Sequence, residues 1–264
     1  MPQKRLKNTR KSKLLSSMNK PDCTKTGPRG CLYLIPSPLS EGAPESVLPA
    51  RVFEVIAALD CYVVEEERTA RRFLNAAGLK GKIDTLEFHT LNEHSTAQEA
   101  EALVSLFDNG RDVGLISEAG LPAVADPGAA LVGICHSYGI RVVPLAGPSS
   151  LLMALMASGL DGQCFAFCGY LPAKTDLRRK ALIDIERRSA REHQSQIFIE
   201  TPYRNDAMLR DIIECCQPQT RLCIASGISG ENETIQTKTV AEWKKTKCTI
   251  GKVPTVFILL SWKK

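Results

Sequence analysis

The 264-residue sequence is poor in the signatures of several common ligand chemistries. Its ten cysteines include no CxxC pair, the nearest neighbours being Cys164 with Cys168 and the adjacent Cys215 and Cys216. The four histidines form no recognisable ligand spacing with them. These absences argue against a zinc site and a disulfide framework, so reduced, buried thiols and no metal are expected. Neither GxGxxG nor GxxxxGK[ST] occurs, which removes the usual dinucleotide fingerprint and the P-loop. No uninterrupted apolar run approaches the roughly 18 residues of a membrane span, and no signal-peptide core is present. A cytoplasmic protein without a membrane partner is expected. Aromatic residues make up 6% of the chain, with two tryptophans, which is little material for stacking nucleobases. No repeat appears at solenoid periods.

Positive charge is scarce where a fold is expected. The chain carries a net +5, but residues 1–29 hold nine Lys or Arg and one Asp, which leaves the remainder at −3. The folded part therefore has no general excess of charge for nucleic acid, and any RNA contact must be local. The segment 1–29 has no apolar periodicity and reads as a disordered tail, either an extension outside the fold or an electrostatic arm toward a polyanion.

The remaining residues suffice for two cores. Short apolar runs at "CLYLIP", "CYVVEE", "DTLEFH", "DVGLIS" and "IRVVPLAGP" alternate with amphipathic stretches such as "VLPARVFEVIAAL" and "GAALVGICHSYG". Alternating strand and helix predicts a mainly parallel sheet covered on both faces over residues 30–146. "AGPSSLLMALMASGL" reads as a helix capped by Ser149 or Ser150 and ended by Gly159. Further strands at "QCFAFCGY", "SQIFIETP", "TRLCIASG" and "VPTVFILLSW", with short return connections, predict a second α/β domain with a mixed sheet over residues 147–264.

In open α/β sheets, ligands bind where loops leave the carboxyl ends of strands. Four such loops are rich in Gly and Pro: "IPSPLSEGAP", "ISEAGLPAVADPG", "PLAGPSS" and "CGYLPAK". Glycine admits close approach of the backbone to a ligand, and proline fixes neighbouring amides in place beforehand. Loops of this kind suit a nucleotide-like ligand held by the main chain. Within the second, Gly120 and Gly128 would allow that approach, and Asp126 would cap the next helix or fix the loop.

Those loops, together with "LYLIPSPLSE", "EEERTARRFL", "LNEHS", "VVPLAGPSSLLMALMASGL", "GYLPAK" and "ETPYR", resemble in order and spacing the ribosomal RNA small subunit methyltransferase I family of the tetrapyrrole methylase superfamily. The resemblance runs from about residue 31 to the end of the chain. It implies a two-domain tetrapyrrole methylase-like α/β fold, a homodimer, and S-adenosylmethionine bound in the cleft between the domains. It also implies methylation of a ribose 2′-hydroxyl in small-subunit ribosomal RNA. Carried over residue by residue, the cofactor pocket would draw on Pro36, Ser37, Pro38, Glu118, Ala119, Gly120, Asp126, Pro127, Gly128, Gly147, Pro148, Ser149 and Ser150. Gly169, Tyr170, Leu171 and Pro172 would close it from the second domain. The chain departs from the family at Ser40, Glu41 and Gly42, at Glu118 and Leu121, and across "SGISGENETIQTKTVAEWKK". In these it resembles a divergent subgroup of methyltransferases.

S-adenosylmethionine brings its own activation, so the protein has chiefly to align acceptor, methyl and sulfur. A ribose hydroxyl is a weak acid and gains from a base or a nearby positive charge. Glu65, Glu66 and Arg68 are the catalytic candidates, at the junction of a predicted strand and helix. Arg71, His94 and Arg204 are the candidates for holding substrate, with Tyr203 beside Arg204. The helix "LRRKALIDIERRSARE" offers Arg178, Arg179, Lys180, Arg187, Arg188 and Arg191 as a basic surface, or else a solvated face. Three functions remain open: an RNA methyltransferase, a methyltransferase acting on a small molecule such as a tetrapyrrole, and a non-catalytic module that keeps the fold.

Overall fold

The computed structural model describes residues 28–246 and 248–261. All but the last two residues of the basic tail expected at 1–29 lie outside that span, as does Trp262 of the last predicted strand.

Five strands form the first sheet: β1 (Cys31–Ile35), β2 (Cys61–Val64), β3 (Glu87–Thr90), β4 (Val113–Ile116) and β5 (Arg141–Pro144). Their order is β3-β2-β4-β1-β5, and every pairing is parallel. Four helices accompany them: α1 (Ala50–Ala58), α2 (Glu67–Leu74), α3 (Ala97–Ala102) and α4 (Gly128–Ser137). Because successive strand side chains face opposite ways, the inner strands feed two separate cores. Ile35, Tyr62, Val64 and Ile116 pack with Val52, Ile56 and Leu74 of α1 and α2. Leu32, Cys61, Val63 and Leu115 pack on the other face with Phe107 and with Leu131 and Cys135 of α4. Burial on both faces is why β2 and β4 read as unbroken apolar runs.

The chain then enters α5 (Ser150–Ser158), where Ser149 is the capping residue and Gly159 ends the helix in the left-handed region at φ 65°. A second sheet follows: β6 (Phe165–Tyr170), β7 (Ser195–Glu200), β8 (Arg221–Ser226), β9 (Thr234–Thr239) and β10 (Thr255–Leu260), in the order β6-β7-β10-β8-β9. β6 and β7 are parallel and the other pairs antiparallel, which is the mixed sheet expected. α5 covers one face through Ala154 and Leu155 against Ile197, Cys223 and Ile258. α6 (Thr175–Glu192), α7 (Asn205–Cys215) and α8 (Val240–Lys245) cover the other.

β9 and α8 were not foreseen. "TIQTKT" sits on the sheet edge and is largely exposed, so it shows no apolar run. Its alternation of β-branched residues and the capping box between Thr239 and Glu242 were the available signals.

The basic run of α6 is only partly a surface. Arg178 is buried and donates from Nε to Asp211 Oδ2 of α7 at 2.7 Å, and Arg179 donates to Asp211 Oδ1 at 2.8 Å and pairs with Glu214. These two arginines clamp α6 onto α7 instead of facing a polyanion. Asp211→Ala leaves the buried Arg178 guanidinium without its carboxylate, and a loss of about 3–5 kcal/mol of stability is expected by urea denaturation. A change under 1 kcal/mol would show the clamp to be incidental.

Candidate active site between the two sheets

Loops at the carboxyl ends of β1, β2, β4, β5, β7 and β8 enclose three adjoining cavities of about 240, 550 and 650 Å³. All three share Leu39, Glu118 and Ala119, so they are lobes of one chamber. The smallest is acidic and is lined by Glu65, Glu118 and Asp126 with Ser117, Ser149 and Ser150. The outer lobe lies against α2 and includes Ser37, Ser40, Glu41, Thr69 and Arg72. The largest opens toward the second sheet and is walled by Ile199, Ile228, Val253 and Val256, with Glu200 among its polar members.

The loop after β4 has a rigid internal frame. Ser37 and Gly120 exchange both backbone hydrogen bonds, at 2.9 and 3.1 Å, and Ser37 Oγ donates to Ser117 O at 3.2 Å. Gly120 has φ +78°, and a Cβ there would lie 3.1 Å from Leu39 Cδ2 and 3.4 Å from Pro148 O. Ala123 and Ala125 also hold positive φ, of 65° and 61°. Asp126 Oδ1 accepts from the backbone N–H groups of Ala123 and Gly128, each at 2.8 Å, and so holds the strained turn closed. Strain of this kind in non-glycine residues collects where a loop is shaped for a ligand.

Burial pushes the Glu65 carboxyl above the usual range, and the neighbouring carboxylate of Glu118 adds to the effect; a hydrogen bond from the Glu118 backbone opposes it. Burial likewise raises Asp126, against backbone donation from Gly128 and Ala123. Among the described residues, no Lys or Arg lines the acidic lobe. A cationic ligand group is therefore favoured there and an anionic one opposed.

The family profile described as Tetrapyrrole (Corrin/Porphyrin) Methylases matches residues 41–244. The chain belongs to this family. It is similar to the Ribosomal RNA small subunit methyltransferase I of Vibrio cholerae, 33% identical over 83% of this chain and 72% of that protein. The protein of the same name from Escherichia coli O157:H7 is 34% identical over 81% of this chain and 71% of its own. Among solved structures, the methyltransferase CobJ superposes with a TM-score of 0.58 at 18% identity, over 88% of this chain and 94% of that one. Uroporphyrin-III C-methyl transferase of Thermus thermophilus, complexed with S-adenyl homocysteine, gives 0.56 at 16% identity, over 88% and 97%. These structural likenesses show the fold alone.

Within this tetrapyrrole methylase the expected pocket residues divide. Ser37, Pro38, Glu118, Ala119, Gly120, Asp126, Ser149, Ser150 and Tyr170 line the chamber. Pro36, Pro127, Gly128, Gly147, Pro148, Gly169, Leu171 and Pro172 do not line these lobes. Gly128 is needed for packing, since a Cβ there would come within 2.8 Å of Leu115 Cδ2 on β4 and 2.9 Å of Asp126 Oδ1. Gly147 lies against Pro36, and Leu171 belongs to the core beneath the second sheet.

Of the catalytic candidates only Glu65 lines the chamber. Glu66 caps α2 by accepting from the backbone of Arg68 at 3.0 Å and Thr69 at 2.7 Å, and these donors hold its carboxyl below the usual range. Arg68 is exposed outside the three lobes. Arg71 pairs with Glu67 at 2.7 Å and stands over the Phe88 ring, whereas its neighbour Arg72 lines the outer lobe. The two arginines are turned about 100° from one another around α2. His94 is exposed beside Glu93 and lines none of these lobes, and Arg204 is paired with Glu200 at 2.6 Å. Sequence reasoning did not single out Leu39, in the loop after β1, nor Glu200 and residues of the segments 227–232 and 253–256, which the second sheet brings to the chamber.

The sheet also assembles a group that spacing concealed: ligand atoms of Cys61, Glu87 and His89 lie within 4.8 Å of one another. They sit on β2 and β3, and Glu87 is already engaged by Arg111 at 2.6 Å and His89 at 2.7 Å. Burial holds the Cys61 thiol up at about 11. All nine cysteines among the described residues are free thiols.

Proposed function

We propose that this methyltransferase binds S-adenosylmethionine in the chamber and transfers its methyl group to a ribose hydroxyl of small-subunit ribosomal RNA. The observation that carries the reading is the meeting of the three lobes at Leu39, Glu118 and Ala119, one lobe acidic, one apolar and one facing outward. Relatives bearing the ribosomal name, a third identical over most of the chain, favour RNA over a tetrapyrrole as acceptor. When bound, S-adenosylmethionine supplies an activated methyl on a sulfonium that leaves as a neutral thioether.

The protein's part is alignment and proton removal. Ser149, Ser150 and the loop framed by Asp126 fix the ligand's position; Glu118 and Asp126 favour its positive charge. The apolar lobe takes the nucleoside portion and excludes water. Glu65, made more basic than an ordinary glutamate first by burial and then by Glu118, takes the proton from the acceptor hydroxyl as its oxygen attacks the methyl carbon. Arg72 and Thr69 in the outer lobe hold the acceptor strand, the guanidinium on a phosphate.

The exposed apolar residues Leu152 and Met156 on α5 and Phe165 and Phe167 on the edge strand β6 support a homodimer. Among the described residues no helix is long and apolar enough to cross a membrane, and a cytoplasmic location accords with a ribosomal substrate. Calorimetric titration with S-adenosylmethionine tests the reading: one site per chain is expected, and no measurable heat at millimolar ligand would overturn it.

A further inference from the structure

Of the five tyrosines, Tyr62 is buried, Tyr33 and Tyr138 are half-buried, and the two exposed ones stand at one end of the second sheet. Tyr170 closes β6 and is 57% exposed; Tyr203 follows β7 in the turn Pro202–Arg204 and is 80% exposed. β6 and β7 run parallel, so both rings lie at their carboxyl ends, where the chamber opens. A β-bulge aims the first ring. Across the ladder Phe167 faces Ile197 and Tyr170 faces Ile199, three steps of β6 against two of β7, with Gly169 at φ +70° inside the bulge. In an unbroken ladder residue 169 would face Ile199, and Tyr170 would turn toward α6. With the bulge, Tyr170 shares the face of Ile199, and both line the acidic and the apolar lobes.

The second ring is placed by hydrogen bonds. Lys252 precedes β10, which runs antiparallel to β7 with Thr255 opposite Glu200, so it falls at the same end of the sheet. Asn205 Nδ2 donates to Gly251 O at 3.0 Å and to Val253 O at 2.7 Å, and Asp206 Oδ1 accepts from the Ile250 backbone at 2.7 Å. These bonds tie the start of α7 to the loop 250–253, and Lys252 Nζ stands 5.2 Å from the centroid of the Tyr203 ring. The adjoining residues Pro202, Val253 and Pro254 line the apolar lobe, which puts the pair on its rim. Lys252 enters no ion pair among the described residues, whereas Arg204 is held by Glu200 at 2.6 Å. Exposed rings beside a cation free of carboxylates are what holds single-stranded RNA, the bases on the rings and a phosphate on the ammonium.

We propose that Tyr170, Tyr203 and Lys252 form a landing surface for the acceptor RNA, on which unpaired bases flanking the target nucleotide stack against the two tyrosines while Lys252 takes a neighbouring phosphate. This rests on the reading that the acceptor is RNA. The strand is then held from the first sheet by Arg72 in the outer lobe and from the second by this surface. A chain with few aromatic residues meets the need because the fold sets both exposed tyrosines at the chamber mouth.

The test measures binding of wild type and variants to small ribosomal subunits prepared without their own modifications, in the absence of cofactor and over a range of salt. Tyr170→Ala and Tyr203→Ala should each weaken binding by about 5- to 150-fold, and Tyr170→Phe and Tyr203→Phe, which keep the ring, should bind as wild type does. The slope of log affinity against log salt should be unchanged in the alanine variants and should shrink by about 0.7 in Lys252→Ala, the share of one phosphate on a single strand. A structural role for Lys252 would lower affinity without moving that slope. Tyr203→Ala should keep its affinity for S-adenosylmethionine in calorimetry, since Tyr203 lines none of the lobes. Wild-type subunit binding in either alanine variant, equal losses in the alanine and phenylalanine variants, an unmoved slope in Lys252→Ala, or a matching loss of cofactor affinity in Tyr203→Ala overturns the proposal. If wild type binds S-adenosylmethionine but not the subunits, RNA as the acceptor fails with it.

Discussion

Gly120→Val should lower affinity for S-adenosylmethionine by at least about 100-fold while the protein stays folded. Valine is both β-branched and forced to φ +78°, a region that costs of order 1–3 kcal/mol for a residue other than glycine. Its Cβ would press on Leu39 Cδ2 at 3.1 Å, and Leu39 is common to all three lobes. Relief of the clash must open the paired hydrogen bonds between Ser37 and Gly120, which join the loops after β1 and β4. The strain therefore falls on the ligand wall and not on either core, so circular dichroism should be unchanged where calorimetry shows no binding. Wild-type affinity in the variant would mean that this loop is not the wall.

Glu65→Gln should reduce the rate of methyl transfer by about 100- to 10,000-fold with little change in cofactor affinity. Glutamine keeps the shape and most hydrogen bonding but cannot take a proton. The pH dependence separates this from a loss of packing. Wild-type activity should rise with pH through a carboxylate pKa displaced above the usual glutamate value, the displacement coming first from burial and then from Glu118. That limb should vanish in the variant. Stability should move the other way. A carboxyl whose folded pKa is raised supports the fold below its unfolded pKa, and this contribution is lost as pH rises through the folded value. At pH 7 wild type therefore bears a penalty that Glu65→Gln removes, and the variant should melt higher at pH 7 while matching wild type near pH 4. Unaltered transfer by Glu65→Gln would remove Glu65 from the chemistry.

Much of the architecture was legible because it rests on local periodicity. The buried runs "CYVV" and "VGLI" and the amphipathic stretches between them specify parallel strands with helices on both faces, and the first sheet proved wholly parallel. The edge strand β9 was not legible, since a largely exposed strand of Thr, Gln and Lys carries no apolar signal. The site shows the same division. Loops following strands of the first sheet announce themselves by Gly and Pro, and Gly120, Asp126 and Ser149 were found that way. Glu200 lies 51 residues beyond Ser149 and the segment 253–256 more than 100, and they reach the chamber through the β7-β10-β8 pairing, which no short spacing encodes. Glycines were ambiguous on sequence alone: Gly120 serves the chamber, whereas Gly128 serves the contact between α4 and β4. Charge was legible only in part. Arg71 could hold a phosphate or pair with the neighbouring glutamates, and it pairs with Glu67; Arg178 and Arg204 are likewise held by acidic partners, and Arg72, one position on from Arg71, is the arginine that lines the outer lobe.

The most direct test of the central claim is transfer of tritiated methyl from S-adenosylmethionine to small ribosomal subunits prepared without their own modifications, with Glu65→Gln and Gly120→Val run in parallel. The account predicts label in the small-subunit RNA, stable to alkaline hydrolysis as a 2′-O-methyl dinucleotide, and little above background with either variant. Binding of S-adenosylmethionine with no label in that RNA would contradict it and turn the search for the acceptor to small molecules.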